Sequence, residues 1–172
     1  MLKKKMTDAL NGHLVKEFYS AYLYQSMAAY FELKALPGLA KWMRVQAQEE
    51  SCHGLMFFNY LCEQAAPVRL GAIDAPPNAF KSPAHVMEVT LKHEQQVTAA
   101  IHELMDLAIA ERDHATKQFL EWFIKEQVEE ESTASSLLDQ LKRVGDGNGL
   151  FILDKEAGTR VFAVPTPLVG RV

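Results

Sequence analysis

The sequence predicts an all-α fold: a four-helix bundle with one long crossover between helices 2 and 3, followed by a short fifth helix near the C-terminus. Three observations lead there. Four long segments carry apolar residues spaced alternately three and four apart, the rhythm of a helix with one buried seam, and no segment alternates as a strand does. Two of the connections are only two or three residues long, which forces antiparallel hairpins. The connection between them is far longer and carries no helical period.

The first helix is expected over about 7–36, where Pro37-Gly38 breaks the pattern. The second covers about 39–66 and stops before Pro67. Residues 67–81, with Gly71, Pro76 and Pro77, form the crossover. Fifteen residues reach about 50 Å when extended, and a helix of about 27 residues is about 40 Å long, so this loop can run the length of the bundle and set helices 2 and 3 parallel. The third helix opens on Ser82-Pro83, a hydroxyl N-cap followed by a proline at the first helical position, and lasts to about 112. The fourth covers 114–144 after Asp113, another N-cap residue, and fades in the run Gly145-Asp-Gly-Asn-Gly149. Residues 149–157 make the short fifth helix. The span 1–157 reads as one domain, and 158–172, with two prolines and several valines, as a tail without an assigned role.

Composition narrows the function classes. At 48% hydrophobic and 23% charged, the chain has the make-up of a soluble globular protein. Eighteen Lys and Arg against 22 Asp and Glu leave a net charge of −4, with no basic stretch suited to nucleic acid. Apolar runs last only a few residues, against roughly 18 needed to span a bilayer. Neither nucleic acid nor membrane is an expected partner. The start, Met1-Leu-Lys-Lys-Lys-Met6, is charged with no apolar stretch behind it, so no secretory signal is expected. Cys52 and Cys62 on one helix would stand about 15 Å apart along its axis and cannot bridge. A cytoplasmic location is expected.

Each seam is apolar over most of its length, and each is interrupted by a carboxylate. Helix 1 reads Leu10, Leu14, Glu17, Ala21, Tyr24, Ala28, Phe31, Ala35; helix 2 reads Met43, Gln46, Glu50, His53, Phe57, Tyr60. Helix 3 places Glu94 between Thr90 and Val97, and helix 4 places Gln127 and Glu130 between Phe123 and Ala134. Counted from the turn near Pro37, Glu17 lies 20 residues away, Glu50 13 and His53 16. Counted from the turn near Arg112, Glu94 and Glu130 lie 18 away and Gln127 15. At 1.5 Å per residue all fall within a band of about 10 Å, so the interruptions meet at one level inside the bundle.

Buried carboxylates cost several kcal/mol each unless protonated or neutralised. No Lys or Arg sits on any seam at that level, so a metal ion supplies the missing charge most simply. Oxygen ligands with one imidazole suit iron or manganese better than thiolate-seeking zinc, and enough carboxylates to bridge two cations argue for a pair. An isolated Glu-x-x-His such as Glu50-x-x-His53 is ordinarily a surface pair one helical turn apart. Four interruptions matched in height are not.

These residues resemble those of a known family, the non-haem ferritins of bacteria and archaea, built on the carboxylate di-iron bundle. The stretches that carry the resemblance are Glu17-Phe-Tyr-Ser-Ala-Tyr-Leu-Tyr24, Gln48-Glu-Glu-Ser-Cys-His53, His93-Glu94 and Glu121-Trp-Phe-Ile-Lys-Glu-Gln-Val-Glu-Glu-Glu131, within a match over about 1–157. The resemblance implies a ferroxidase centre. Glu17, Glu50 and His53 are similar to ligands of a first iron, with Glu50 bridging to a second; Glu94 and Glu130 are similar to ligands of that second iron, with Gln127 close by. Tyr24 is implied as a hydrogen-bond partner and candidate electron donor. Glu49, Glu126 and Glu129 resemble a third iron site on the cavity side, and Glu131 is left to the surface. The family further implies a homo-oligomeric hollow shell, a 24-mer with the fifth helix at its four-fold axis. Its activity is oxidation of Fe(II) by dioxygen or hydrogen peroxide, and storage of Fe(III) as a mineral. An oxygen-rich pocket favours Fe(III) over Fe(II), which drives electrons onto the oxidant.

Departures from neighbouring families sharpen the expectation. A bacterioferritin carries a second Glu-x-x-His on the fourth helix and a haem-ligating Met directly after the second-helix Glu; this chain has Gln127 and Glu130, and Ser51, so haem is not expected. A rubrerythrin-type redox protein, the alternative reading, brings a Cys-x-x-Cys iron module that is missing from this sequence. A DNA-protecting miniature ferritin holds its metals between subunits, and a cytokine-like bundle has a purely apolar core. His13, His85, His93, His102 and His114 are expected at exposed helix positions. Met27, Met43, Met87 and Met105 read as core filler, Trp42 and Trp122 as packing or interface residues, and Cys52 as a small buried one.

Overall fold

The computed structural model describes residues 2–145 and 147–170; Met1, Asp146, Arg171 and Val172, which include the end of the tail, lie outside the described residues. Helices α1 (Lys4–Leu33), α2 (Pro37–Glu63), α3 (Pro83–Glu111), α4 (His114–Val144) and α5 (Asn148–Ala157) follow in order, with a short 3-10 turn at Thr166–Leu168. Both predicted N-caps form. Ser82 Oγ accepts from the His85 amide at 3.1 Å, and Asp113 Oδ1 accepts from the Thr116 amide at 3.0 Å.

The C-terminal ends differ from expectation. α1 and α2 each stop three residues early, because the chain reverses through left-handed residues that are not glycine: Ala35 (φ 56°) and Ala65 (φ 50°). Around them the Leu36 amide reaches back to the Phe31 carbonyl at 3.0 Å and the Ala66 amide to Leu61 at 2.9 Å, the bond that closes a Schellman turn. Arg112 (φ 56°) ends α3 in the same way. Without a glycine to mark the stop, the apolar rhythm overran it, and Ala35, expected as a seam residue, lies exposed in the turn. α2 also begins two residues early, on Pro37.

Side-chain pairs fix the topology. Glu32 with Arg44 and His13 with Phe57 set α1 antiparallel to α2; Ser20 with His93 and Met27 with Thr90 set α1 antiparallel to α3. α2 and α3 therefore run parallel, with the irregular stretch between Glu63 and Pro83 as the crossover. The bundle has two apolar cores rather than one. One, around Met27, Phe31, Met43 and Leu137, lies toward α5; the other, around Leu14, Phe57, Ile101 and Phe123, lies toward the opposite end. The interrupted level of the seams separates them. Among the described residues no helix is long and apolar enough to cross a membrane.

α5 packs Leu153 and Ala157 into the first core. Its Asp154 accepts the Leu39 amide at 2.8 Å, capping α2 from outside. The approach is so close that a Cβ on Gly38 would stand 1.7 Å from the Asp154 carbonyl oxygen. Beyond Gly158 the tail folds back along the bundle, placing Phe162 and the buried Leu168 against the second core. Gly38→Ala is expected to push α5 off the α2 terminus and lower the melting temperature. Ala65→Gly, which removes a left-handed strain, is expected to raise stability by up to about 1 kcal/mol. Thermal unfolding of the two variants beside the parent checks both signs.

Candidate metal centre

The layer between the cores is assembled from all four long helices. α1 supplies Glu17 and, two turns on, Tyr24; α2 supplies Glu50 and His53; α3 supplies Glu94; α4 supplies Gln127 and Glu130. All seven are at most 5% exposed. Glu17, Glu50 and His53 form the tightest group: one ligand atom from each lies within 4.8 Å of the others. Glu94 and Glu130 face this group from α3 and α4, each engaged by a hydrogen-bond donor. The Tyr24 hydroxyl donates to Glu94 Oε1, and Gln127 Nε2 lies 3.2 Å from Glu94 Oε2. Gln46 Nε2 donates to Glu130 Oε2 at 2.5 Å.

Two atoms in the tight group stand out. Glu17 Oε2 and His53 Nε2 are buried with no hydrogen-bond partner. A buried polar atom left unmade costs about 1–3 kcal/mol, so a pair of them in one group of two carboxylates and an imidazole fits a cation site.

Protons show how strongly the layer resists charge. Burial, reinforced by neighbouring carboxylates, pushes Glu50, Glu94 and Glu130 up to about 8. Burial presses the His53 imidazole down, but Glu50, Glu17 and Glu130 around it carry it up to about 10. Glu17 goes the other way: burial raises it, yet the imidazoles of His13 and His53 hold it below the usual carboxylate value. Tyr24, buried beside Glu94 and Glu50, is held far above an ordinary phenol and stays protonated.

His13 corrects the expectation of an exposed residue. It is buried, its Nε2 lies 2.7 Å from Glu17 Oε1, and its ring packs 4.7 Å from that of Phe57. The i, i+4 spacing to Glu17 was the signal for it. His93 is likewise mostly enclosed and bonds Ser20 Oγ at 2.8 Å, with Tyr19 and Tyr24 rings beside it. His85 is half-buried, whereas His102 and His114 are exposed as expected. Trp122 sets its edge against His53 at 5.4 Å.

The tail adds a cation that the seams lack. No Lys or Arg lies on a seam, but Arg160 enters from the tail, pairing with Glu49 Oε2 at 2.5 Å and donating to Gln46 Oε1 at 2.5 Å. Glu49 and Glu126 are half-buried and Glu129 is exposed. Burial lifts Glu49 despite Arg160, with Glu126 and Glu129 adding to the rise. Cys52 is buried, Cys62 exposed, and both are free thiols.

The stability consequence has one sign. Glu50, Glu94 and Glu130 rise from 4.5 to about 8 and His53 from 6.5 to about 10, so over that range the folded metal-free chain binds more protons than the unfolded one. The contribution of these four groups to stability is full below about pH 4.5 and is lost as pH rises toward 10, while Glu17 contributes in the opposite sense. Melting of metal-free protein across pH 5–10 is expected to show this fall, and added divalent metal to flatten it.

Comparison with known proteins places the whole chain. The ferritin-like domain of the ferritin family matches residues 7–144. A bacterial non-heme ferritin of Bacteroides fragilis is 38% identical over 160 residues, covering 93% of this chain and all of its own. A probable bacterial non-heme ferritin-like protein of Haemophilus influenzae is 40% identical over 159 residues, 92% of this chain and 96% of its own. Among solved structures, an open-pore ferritin from the hyperthermophilic archaeon Archaeoglobus fulgidus superposes with a TM-score of 0.93 at 42% identity, covering 94% of this chain and 100% of its own. A closed form of that ferritin, engineered by site-directed mutagenesis, gives 0.93 at 43% identity over 95% of this chain and 100% of its own.

Proposed function

The chain belongs to the ferritin family, and from that premise we propose that it is an iron-storage ferroxidase that oxidises Fe(II) at the layer between its two cores and holds Fe(III) as a mineral inside a hollow shell. One observation carries this reading: two carboxylates and an imidazole converge in a buried layer with two of their polar atoms unpartnered, while two further carboxylates face them.

In this reading Fe(II) is the substrate. Glu17, Glu50 and His53 bind one ferrous ion and Glu94 with Glu130 the other, with Glu50 as the proposed bridge and Gln127 beside the second. Metal entry displaces the protons held on Glu50, Glu94, Glu130 and His53, so binding strengthens with pH. The two apolar cores keep bulk water out, which strengthens every charge interaction in the layer. His13 steadies Glu17, and Tyr24 steadies Glu94, as outer partners that orient ligands. Two Fe(II) give one electron each; dioxygen with two protons becomes hydrogen peroxide, or hydrogen peroxide with two protons becomes two waters. The carboxylate set favours the ferric product and so drives the transfer. A third, weaker metal position at Glu49, Glu126 and Glu129 would share Glu49 with Arg160, which pairs with its Oε2.

Assembly as a homo-oligomeric shell is supported by apolar side chains the single chain leaves in water. Phe151 and Ile152 on α5 are 62% and 66% exposed, and Tyr22 on α1 and Leu70 in the crossover are also exposed. The free thiols suit a reducing cytoplasm.

Aerobic titration of metal-free protein with Fe(II), followed by ferric absorbance, tests the function. Fast oxidation is expected to saturate near two irons per chain and to slow at least about 100-fold in Glu50→Ala. Equal slow oxidation in both proteins refutes the ferroxidase reading.

A further inference from the structure

We infer that Arg160 is a positioning residue for the metal centre: through this one guanidinium the folded-back tail decides where the Glu130 carboxylate stands. The inference rests on the metal-centre reading above.

Arg160 is held from three sides. One nitrogen pairs with Glu49, a second donates to Gln46, and the guanidinium lies 4.5 Å from the centre of the Trp42 ring. Its segment is anchored before it by α5 and after it by Phe162 and Leu168 in the second core, so the side chain is delivered to a defined place. Gln46 is buried and has two chemically opposite ends. A guanidinium only donates hydrogen bonds, so Gln46 must turn its Oε1 to Arg160, and its Nε2 then points at Glu130, to which it donates. Without Arg160 the buried Gln46 Oε1 loses the donor that holds it, and the amide is tied only at Nε2, to Glu130 itself. An amide free to swing about that single bond no longer holds Glu130 in one place.

The effect is one-sided. Glu17 takes its support from His13, and Glu50 lies 3.2 Å from the His53 ring nitrogen Nδ1, so neither is bonded through Gln46. Removing Arg160 therefore weakens the Glu130 side of the centre and spares the Glu17–Glu50–His53 side.

Anaerobic titration of the metal-free full chain with Co(II), read by its visible ligand-field absorbance, tests this without turnover. The parent is expected to show two classes of tight site, apart from weak binding at Glu49, Glu126 and Glu129, which is read separately at higher Co(II). In Arg160→Ala one class loses affinity by about 10- to 100-fold, the usual cost of removing an outer-shell partner, while the other is unchanged. Arg160→Lys, which keeps charge but not the fork, restores only part of the loss. Gln46→Leu reproduces the loss, and adding Arg160→Ala to it costs nothing further. Should Arg160→Ala fail to fold, the Arg160→Lys and Gln46→Leu proteins decide the question by the same titration. Unchanged binding in the variants, or equal weakening of both classes, overturns the inference while the metal-centre reading stands. A parent that binds no Co(II) overturns that reading, and this inference with it.

Discussion

Charge inside an apolar bundle is the constraint on which the structure turns. A carboxylate moved from water into a dry interior is held only if it is protonated, hydrogen-bonded or paired with a cation. This bundle gathers Glu17, Glu50, Glu94 and Glu130 in one layer and surrounds them with apolar cores on both sides. The cores supply the folding free energy; the layer spends part of it. The layer's demand for a partner is then met by whatever arrives, protons in metal-free protein and cations in the proposed working state.

Geometry follows from that demand. Four side chains from four helices meet at one height only if the hairpin turns set the helices in register, so the turns matter to the site although they lie far from it. The left-handed Ala35 and Arg112 turns are part of this setting. So is the tight Gly38–Asp154 contact, which lets α5 pack against the start of α2. Around the ligands stands a ring of orienting groups: His13 on Glu17, Tyr24 and Gln127 on Glu94, Gln46 on Glu130. Glu17 and Glu130 each have a donor on one oxygen and keep the other to face inward, and this is how a soft, rotatable side chain is held in one orientation.

Much of this was legible from residue spacing. A carboxylate every helix, at matched distances from short turns, is a local pattern, because helical rise converts residue count directly into height. The Ser82 and Asp113 caps were equally local. The exact helix ends were not, since alanine in a left-handed turn carries no mark in the sequence. His13 lay within reach of the same reasoning, one turn before Glu17, but a lone histidine on a helix face reads as exposed until its neighbours on α2 are in place.

Helix count, most of the seam, the crossover and the meeting of carboxylates at one level were thus legible in the sequence, because each depends on periodicity or on short chain distances. Only the tertiary structure decided which cation and which amide stand beside the layer. Arg160 lies 114 residues from Gln46 and 111 from Glu49, on a tail with no period of its own. Contacts between an aperiodic segment and a distant helix are set by packing, and packing is a property of the whole chain.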